Sequence, residues 1–221
     1  MREAFAMKKV RPKIEQAKQI INETLSKAKR PFVEFTGGKD SLVTLSLVKE
    51  VSKGPVSVLF IDTSTHFTEI YHFIEKMQKL WRFNLAREKN GEALGSIKIA
   101  EDRAECCFQL KTKVRRESIK KYEIDYLFTG VRRDEEEATG SVNYVFPETE
   151  CVSVNPIVYF SESDIWEYIR ENNMPYCSLY DKGYKSIDCV PCTEMTGLKP
   201  ESGEKDNSQE IMKKLKQLGY M

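Results

Sequence analysis

The feature that most constrains this chain is a glycine turn lying directly between a strand pattern and a helix pattern. Phe32–Phe35 predicts a short strand, Thr36–Ser41 (TGGKDS) follows it, and residues 41–51 predict a helix. Two glycines let the backbone approach a ligand closely, and the helix start directs free N–H groups at an anion. With Lys39 and two hydroxyl side chains, the loop predicts a site for a phosphate, pyrophosphate or sulfate group.

Two other interpretations of this loop need weighing. It is not a Walker A loop, which requires the pattern G-x-x-x-x-G-K-[ST]. A tight glycine turn that merely caps a helix is the simpler alternative to an anion site. The position of the loop between a strand and a helix favours the anion site.

Strand and helix patterns alternate along the chain, which predicts an α/β fold: a doubly wound, mostly parallel sheet with helices on both faces. In such sheets ligands bind beyond the carboxyl ends of the strands. Three segments that each follow a strand should therefore converge on one crevice: Thr36–Ser41, Asp62–Glu69 and Gly130–Asp134. The predicted strands are 32–35, 56–61, 126–129 and 151–154, and the predicted helices are 12–29 (with Pro12 in its first turn), 41–51, 67–80, 108–122 and 161–172 (with Ser161 as N-cap).

Composition gives no reason to expect a membrane or nucleic-acid protein. The 221 residues carry a net charge of +1, with 40% hydrophobic and 31% charged residues, enough for one sizeable core. No run of about 18 apolar residues occurs, and the first residues lack the apolar stretch of a secretory signal. We expect a cytoplasmic protein with an N-terminal helical segment (1–30), a nucleotide-binding domain (31–195) and a polar C-terminal extension (196–221).

Four of the six cysteines form two separated pairs, Cys106-Cys107 and Cys189-x-x-Cys192. In a reducing compartment such thiols are more often metal ligands or catalytic groups than disulfides. Four thiolates could hold a 4Fe–4S cluster or a structural zinc ion. Adjacent cysteines suit a cluster better, because a cube offers each of them a different iron. The alternative is that Cys106 and Cys107 are buried apolar residues beside an unrelated turn.

Several segments resemble motifs of the sulfonucleotide (PAPS/APS) reductases, which belong to the PP-loop superfamily with an adenine nucleotide alpha-hydrolase-like fold. TGGKDS is similar to their SGGKDS loop, with Thr36 keeping the first hydroxyl. Cys106–Lys111 (CCFQLK) resembles CC-x-x-R-K, and Leu179–Cys192 (LYDKGYKSIDCVPC) resembles L-x-D-x-G-Y-x-S-I-G-C-x-P-C, with Asp188 in place of a glycine. Further similarities, over about residues 32 to 195, are those of Asp62–Glu69 to DTGYHFPE, of Thr129–Asp134 to TGLRRD, and of Asn155–Ile157 and the helix around Trp166 to the NP-L…W segment.

The resemblance implies roles for particular residues. A 4Fe–4S cluster would be held by the four paired cysteines, with Lys111 tuning the field beside it. Arg132 and Arg133 would pair with anionic groups of an adenine nucleotide (ATP, APS or PAPS), and ATP would bring Mg²⁺ into consideration. Lys111 or one of the arginines could instead be solvated, and Asp62 could cap the next helix. The implied nucleotide-binding residues are Thr36, Gly37, Gly38, Lys39, Asp40, Ser41, Asp62, Gly130, Arg132 and Arg133, and the implied catalytic ones are Lys39, Lys111, Arg132 and Arg133.

The resemblance also implies a catalytic cysteine in a C-terminal E-C-G-L-H segment, whose thiolate attacks the sulfate sulfur. No cysteine follows Cys192 in this sequence, and we expect Cys151 and Cys177 to be structural. Three interpretations remain: a reductase-like enzyme whose thiol comes from a partner or free sulfide; an ATP pyrophosphatase that activates a nucleic acid for sulfur incorporation, as in DNA phosphorothioation or tRNA thiolation; and a non-catalytic nucleotide- or cluster-binding subunit.

Several partners follow from these interpretations. A thiol or electron donor protein or a cysteine desulfurase would supply sulfur or electrons, and a homodimer is expected. The basic helix face of Lys111–Lys121 gives slight support to a nucleic-acid or protein partner, although such faces are usually just solvated.

Overall fold

The structure, a computed structural model, describes residues 2–133, 145–147 and 150–193, and for residues 2–9 and 145–147 it describes the backbone only. Its centre is a six-stranded sheet of order β3-β2-β1-β4-β6-β5. All pairings are parallel except that of β5 with β6. The strands are β1 (Pro31–Glu34), β2 (Ser57–Ile61), β3 (Asn84–Glu88), β4 (Tyr126–Phe128), β5 (Val145–Pro147) and β6 (Val152–Val154).

Helices connect the strands and cover the sheet. They are α1 (Arg2–Leu25), α2 (Lys39–Val51), α3 (Thr68–Trp81), α4 (Arg103–Cys107), α5 (Lys113–Tyr122) and α6 (Glu162–Glu171). A π-helical turn, Phe108–Thr112, joins α4 to α5. Short 3-10 turns occupy Ala93–Gly95, Tyr180–Lys182 and Val190–Cys192.

Successive residues of the central strands pack on opposite faces of the sheet, as strand geometry requires. Phe60 and Phe128 belong to a buried cluster that also holds apolar side chains of α1, α2, α3 and α6. Leu59 and Leu127 belong to a second cluster, with Ile119 of α5. Helices therefore cover both faces of the sheet, and the predicted doubly wound, mostly parallel α/β fold is confirmed.

The N-terminal helix differs from its prediction. It spans Arg2–Leu25, so Pro12 lies inside the helix rather than in its first turn. An internal proline removes one helical hydrogen bond, but the helix keeps Val10, Ile14 and Ala17 buried in the main core cluster. Helix α1 thus packs against α2 and α6.

Most other elements lie where the patterns place them. The sequence patterns did not predict β3, β5 or α4. The edge strand β3 has no apolar run, because its residues are only half-buried or exposed. The predicted helix 108–122 begins instead as the π-helical turn after α4. The extension 196–221 and Asp134 lie outside the described residues. In the described part of the chain no helix has both the length and the apolar character needed to span a membrane.

An ion pair between α1 and α6 gives a pH-dependent contribution to stability. Asp164 is buried, accepts hydrogen bonds from Ser161 N at 2.7 Å and Lys13 Nζ at 2.5 Å, and closes a capping box with Ser161. Burial acts to raise the pKa of Asp164, but the bonds from Lys13 and Ser161 outweigh it and the pKa is lowered.

A lowered carboxyl pKa stabilises the fold above the unfolded value of about 3.9, and this contribution is lost as the pH falls through the folded pKa. We expect Asp164→Asn to lower the free energy of unfolding at neutral pH by about 1 to 3 kcal/mol, and to flatten its dependence on pH on the acid side. Urea unfolding across an acidic pH series measures this. The control Glu171→Gln removes an exposed acid of the same helix, and an equal flattening there would contradict the assignment.

Candidate functional site

The chain changes direction across the sheet between β1 and β4. From β1 it continues through β2 to β3 on one side, whereas β4 pairs with the other edge of β1. A crevice opens at such a switch point, beyond the carboxyl ends of the strands. A cavity of about 320 Å³ lies there, lined by residues of the glycine loop, of the segments after β2 and β4, of the helix after Phe108, and of residues 180–188.

The glycine loop is held by its own side chains. Thr36 Oγ1 and Ser41 Oγ lie 3.1 Å apart, Ser41 Oγ donates to Gly38 O at 3.0 Å, and Gly38 N donates to Thr36 Oγ1 at 3.3 Å. Gly37 has φ +81°, a conformation that favours glycine, and a Cβ there would lie 3.1 Å from Ile70. Gly38 caps α2 without any side-chain hydrogen bond to the helix start. The first turn of α2 thus begins at the cavity, as the sequence predicts for an anion site.

The start of α2 packs directly on the backbone after β4. A Cβ on Gly130 would lie 2.7 Å from Ser41 N and 2.8 Å from Asp40 C, distances that a side chain cannot adopt. Thr44 Oγ1 also donates to Thr129 O at 3.4 Å. Gly130 is therefore required for the two strand ends to meet, and both segments line the cavity.

Lys39 lies at the cavity but is almost fully buried. Its Nζ donates to Lys185 O at 3.1 Å and lies 3.2 Å from Asp40 and 3.6 Å from Glu162. Tyr180, which no sequence pattern singled out, accepts a hydrogen bond from Lys39 N at 2.8 Å and places its ring 5.7 Å from Lys39 Nζ. The segment of residues 180–188 thus closes over the loop and the start of α2.

The two predicted arginines do not line the cavity. Arg132 is buried, with Nε 2.7 Å from Asp40 Oδ1, in the alignment of an ion pair rather than of a hydrogen bond. Arg133 is exposed, and its guanidinium carbon lies 4.8 Å from the ring centre of Tyr159. Arg132 therefore supports the loop from beneath, while direct contact of either arginine with a ligand stays a prediction.

Asp62 follows β2, and its carboxylate stabilises the turn after that strand. Its carboxylate accepts hydrogen bonds from Tyr71 Oη and Ser64 N, both at 2.8 Å, and from Arg87 Nε at 2.9 Å. Burial acts to raise the pKa of Asp62, but these donors outweigh it and the pKa is lowered. The carboxylate does not cap α3, which begins after Phe67, and it does not line the cavity. A nucleotide contact of Asp62 stays a prediction.

Lys111 lies on the wall of the cavity. Its Nζ donates to both carboxylate oxygens of Asp188, at 2.5 and 2.6 Å, and both residues line the cavity. A second pair on the same wall joins Arg115 Nε to Glu34 at 3.0 Å. Both lysine and arginine come from the segment Phe108–Tyr122, in which the π-helical turn directs Lys111 and Thr112 toward the cavity.

Charged neighbours, Lys111 among them, act on the thiols of both cysteine pairs. Burial raises the pKa of the Cys107 thiol to about 11, Lys111 opposes this, and Asp188, Cys192 and Cys106 add to it. Burial also raises the pKa of Cys192, with Cys189 adding to the effect. These effects link Cys107 with Cys106 and Cys192, and Cys192 with Cys189. Of the four thiols, only that of Cys189 belongs to a set of three ligand atoms within 4.8 Å of one another among the described residues, so a metal site shared by all four stays a prediction. Their donor chemistry fits a thiolate-bound cluster, and metal binding would have to displace the thiol protons.

His66 brings a nitrogen close to Cys189. Its Nε2 lies 3.2 Å from Ile61 O, which can only accept a hydrogen bond, so the proton resides on Nε2. Among the described residues, Nδ1 has no hydrogen-bond partner, and ligand atoms of His66, Asp188 and Cys189 lie within 4.8 Å of one another. These three could hold a divalent ion. Since Cys189 is also one of the four predicted cluster ligands, the triad and a cluster would exclude each other.

The remaining cysteines lie elsewhere. Cys177 belongs to the main core cluster and Cys151 to the second one, and both are buried. Neither lines the cavity. Their placement agrees with the structural role expected of them.

Comparison with known proteins decides the family. A model of the phosphoadenosine phosphosulfate reductase domain matches residues 30–195. This chain belongs to that family. The predicted family membership, and with it a sulfonucleotide-reductase-like enzyme, is confirmed.

Several relatives of this member of the sulfonucleotide reductase family are named adenosine 5'-phosphosulfate reductases. An adenosine 5'-phosphosulfate reductase of Shouchella clausii is 30% identical over 75% of this chain and 73% of its own length. The adenosine 5'-phosphosulfate reductase of Staphylococcus epidermidis is 28% identical over 71% of this chain and 67% of its own length. Among solved structures, a phosphoadenylyl-sulfate reductase from Candida auris has a TM-score of 0.70 at 22% identity over 81% and 90% of the chains. A Candida glabrata FMN adenylyltransferase has a TM-score of 0.67 at 19% sequence identity, over 88% of this chain and 69% of its own. At these identities the two structures show a shared fold.

The contact between Gly130 and α2 can be tested. We expect Gly130→Ala to lower the free energy of unfolding by about 1 to 3 kcal/mol, because the added methyl must push the helix start away. Gly54→Ala is the control, since a Cβ there meets nothing within 4 Å. Chemical unfolding of both variants measures the difference. Equal stabilities would contradict the close approach.

Proposed function

We propose that this chain binds a sulfonucleotide in the cavity between the glycine loop and Lys111, and that it supports reductive release of sulfite. The observation that carries the proposal is the position of the loop at the strand switch point, in a cavity that Lys111 also lines, with the thiol of Cys107 close enough to feel the charge of Lys111. The names of the relatives support the sulfonucleotide as ligand.

The loop would hold the phosphate and sulfate groups. N–H groups at the start of α2, together with Lys39 and the hydroxyls of Thr36 and Ser41, offer donors to an anion. Lys39 is buried among Asp40, Glu162 and the carbonyl of Lys185, so its ammonium is held in place before a ligand binds. Lys111 would approach the other end of the same ligand.

The reaction requires a thiol from outside the described cavity. A thiolate attacks the sulfate sulfur, the S–O bond to the phosphate breaks, and AMP leaves with the bonding electrons. A second thiol then attacks the S-sulfonated one, forms a disulfide, and releases sulfite, which carries away the two electrons. Cys151 and Cys177 are buried in the cores, and the other four cysteines are the predicted metal ligands, so we propose that a partner thiol or free sulfide performs the attack.

We further propose that Cys106, Cys107, Cys189 and Cys192 hold a 4Fe–4S cluster. Cys106 and Cys107 are adjacent on α4, and neighbouring helix residues point about 100° apart. This divergence suits a cube whose irons are separate better than one small ion. A bound cluster would keep the four thiols deprotonated, so the cluster with its thiolates would carry net negative charge near Lys111.

Nucleotide turnover tests the reaction. The anaerobically reconstituted protein is incubated separately with APS, PAPS and ATP, with and without a dithiol, and we expect thiol-dependent sulfite from a sulfonucleotide. Lys39→Ala should weaken nucleotide binding by at least about tenfold, the effect of losing a charged hydrogen bond. Lys49→Ala, on the exposed last turn of the same helix, is the control.

The outcomes separate the possible functions. Pyrophosphate from ATP, without sulfite from either sulfonucleotide, would replace the reductase proposal by an ATP pyrophosphatase acting in sulfur incorporation. Binding without any turnover would favour a non-catalytic subunit. Unchanged affinity in Lys39→Ala would show that the nucleotide lies elsewhere.

Metal analysis tests the cluster. We expect about four irons per chain in the reconstituted protein, and loss of iron binding in Cys192→Ala. Cys177→Ala is the matched control, because that thiol lies in the core cluster and should leave the iron content unchanged. Stoichiometric zinc without iron would rule out the cluster and favour a zinc site of the cysteines or of the triad with His66.

A further inference from the structure

The pair of Lys111 and Asp188 places a full negative charge on the wall of the proposed nucleotide site. Both carboxylate oxygens of Asp188 accept from Lys111 Nζ, and the Asp188 side chain remains 45% exposed. Asp188 stands where the reductase motif has glycine, a residue without any side chain. In this chain the charge of Lys111 is therefore already balanced by a carboxylate that faces the same cavity.

Lys39 and Arg115, two further basic residues that line the cavity, are also paired with acids. Lys39 lies beside Asp40, Arg115 bonds Glu34, and Arg132 contacts Asp40 from beneath the loop. An anion that enters this cavity must therefore compete with these carboxylates for the basic side chains. Among these acids, Asp188 stands out because it lines the cavity itself and both its carboxylate oxygens are held by Lys111.

We propose that Asp188 is a specificity-determining residue that makes this site discriminate against the more highly charged adenine nucleotides. The inference rests on the proposed function, since it concerns the same cavity. A bound anion must share Lys111 with Asp188 and is also repelled by the Asp188 carboxylate. Both effects grow with the charge of the ligand. The 3′-phosphate of PAPS adds about two negative charges to those of APS, so the site favours APS.

The variant Asp188→Asn tests this, because an amide oxygen still accepts from Lys111 but the charge is gone. Affinities for APS and PAPS are measured by calorimetry on the anaerobic protein without thiol, so that no turnover occurs. We expect APS to bind roughly threefold more tightly to the variant and PAPS roughly tenfold or more, with the difference between the two proteins shrinking as salt is added. A purely structural effect would change both affinities alike and would not depend on salt.

The control is Glu75→Gln, which removes an exposed acid of α3 that does not line the cavity. It should leave the ratio of APS to PAPS affinities unchanged. Nucleotide binding with the same ratio in wild type and Asp188→Asn would overturn the role of Asp188 while leaving the proposed function intact. Failure of both nucleotides to bind either protein would overturn the proposed function, and this inference with it.

Discussion

The contact between Gly130 and the first turn of α2 determines where the candidate site can form. It packs the backbone after β4 against the first turn of α2, next to the point where the chain continues to opposite sides of β1. Thr44 fixes the same approach by its bond to Thr129 O, and Arg132 anchors Asp40 from below. A side chain at this glycine would separate the two walls of the cavity, so the loop geometry and the sheet topology depend on one another.

The basic side chains in and beneath the cavity are paired with carboxylates of the chain. Isolated charges are costly to remove from water, and Lys39, Lys111, Arg115 and Arg132 each meet a carboxylate of the chain itself. Breaking such a pair without replacement is expensive, whereas exchanging one anion for another is not. A ligand that brings negative charge near the loop would therefore compete with these carboxylates, and their charge limits how much negative charge the cavity tolerates.

The sequence predicted the loop of this site but not the long-range contacts around it. The loop was predictable because glycines, a lysine and hydroxyls stood between two apolar patterns, and the apolar runs gave β1, β2 and β4. The edge strand β3 was missed because its sequence, NLARE, lies half in solvent and has no apolar run. The bond of Tyr180 to Lys39 and the pair of Asp188 with Lys111 join residues 141 and 77 positions apart, and no local pattern encodes such contacts. Arg132 was recognised as a site residue, but its burial under the loop depends on tertiary packing.

The fold pairs several basic residues of the helix face Lys111–Lys121 with acids, which weakens the case for a nucleic-acid partner. A positive stripe could support a nucleic-acid partner only if its charge were available to phosphates. Arg115 bonds Glu34, Lys120 lies 2.7 Å from Glu150, and Lys121 bonds Glu88 at 2.8 Å. The exposed pairs at the far end contribute little to stability, yet they lower the local potential. A nucleic-acid partner stays a prediction with less support from this face, whereas the cavity end of the same helix presents Lys111 and Arg115 to a small anion, which is the scale of ligand the geometry favours.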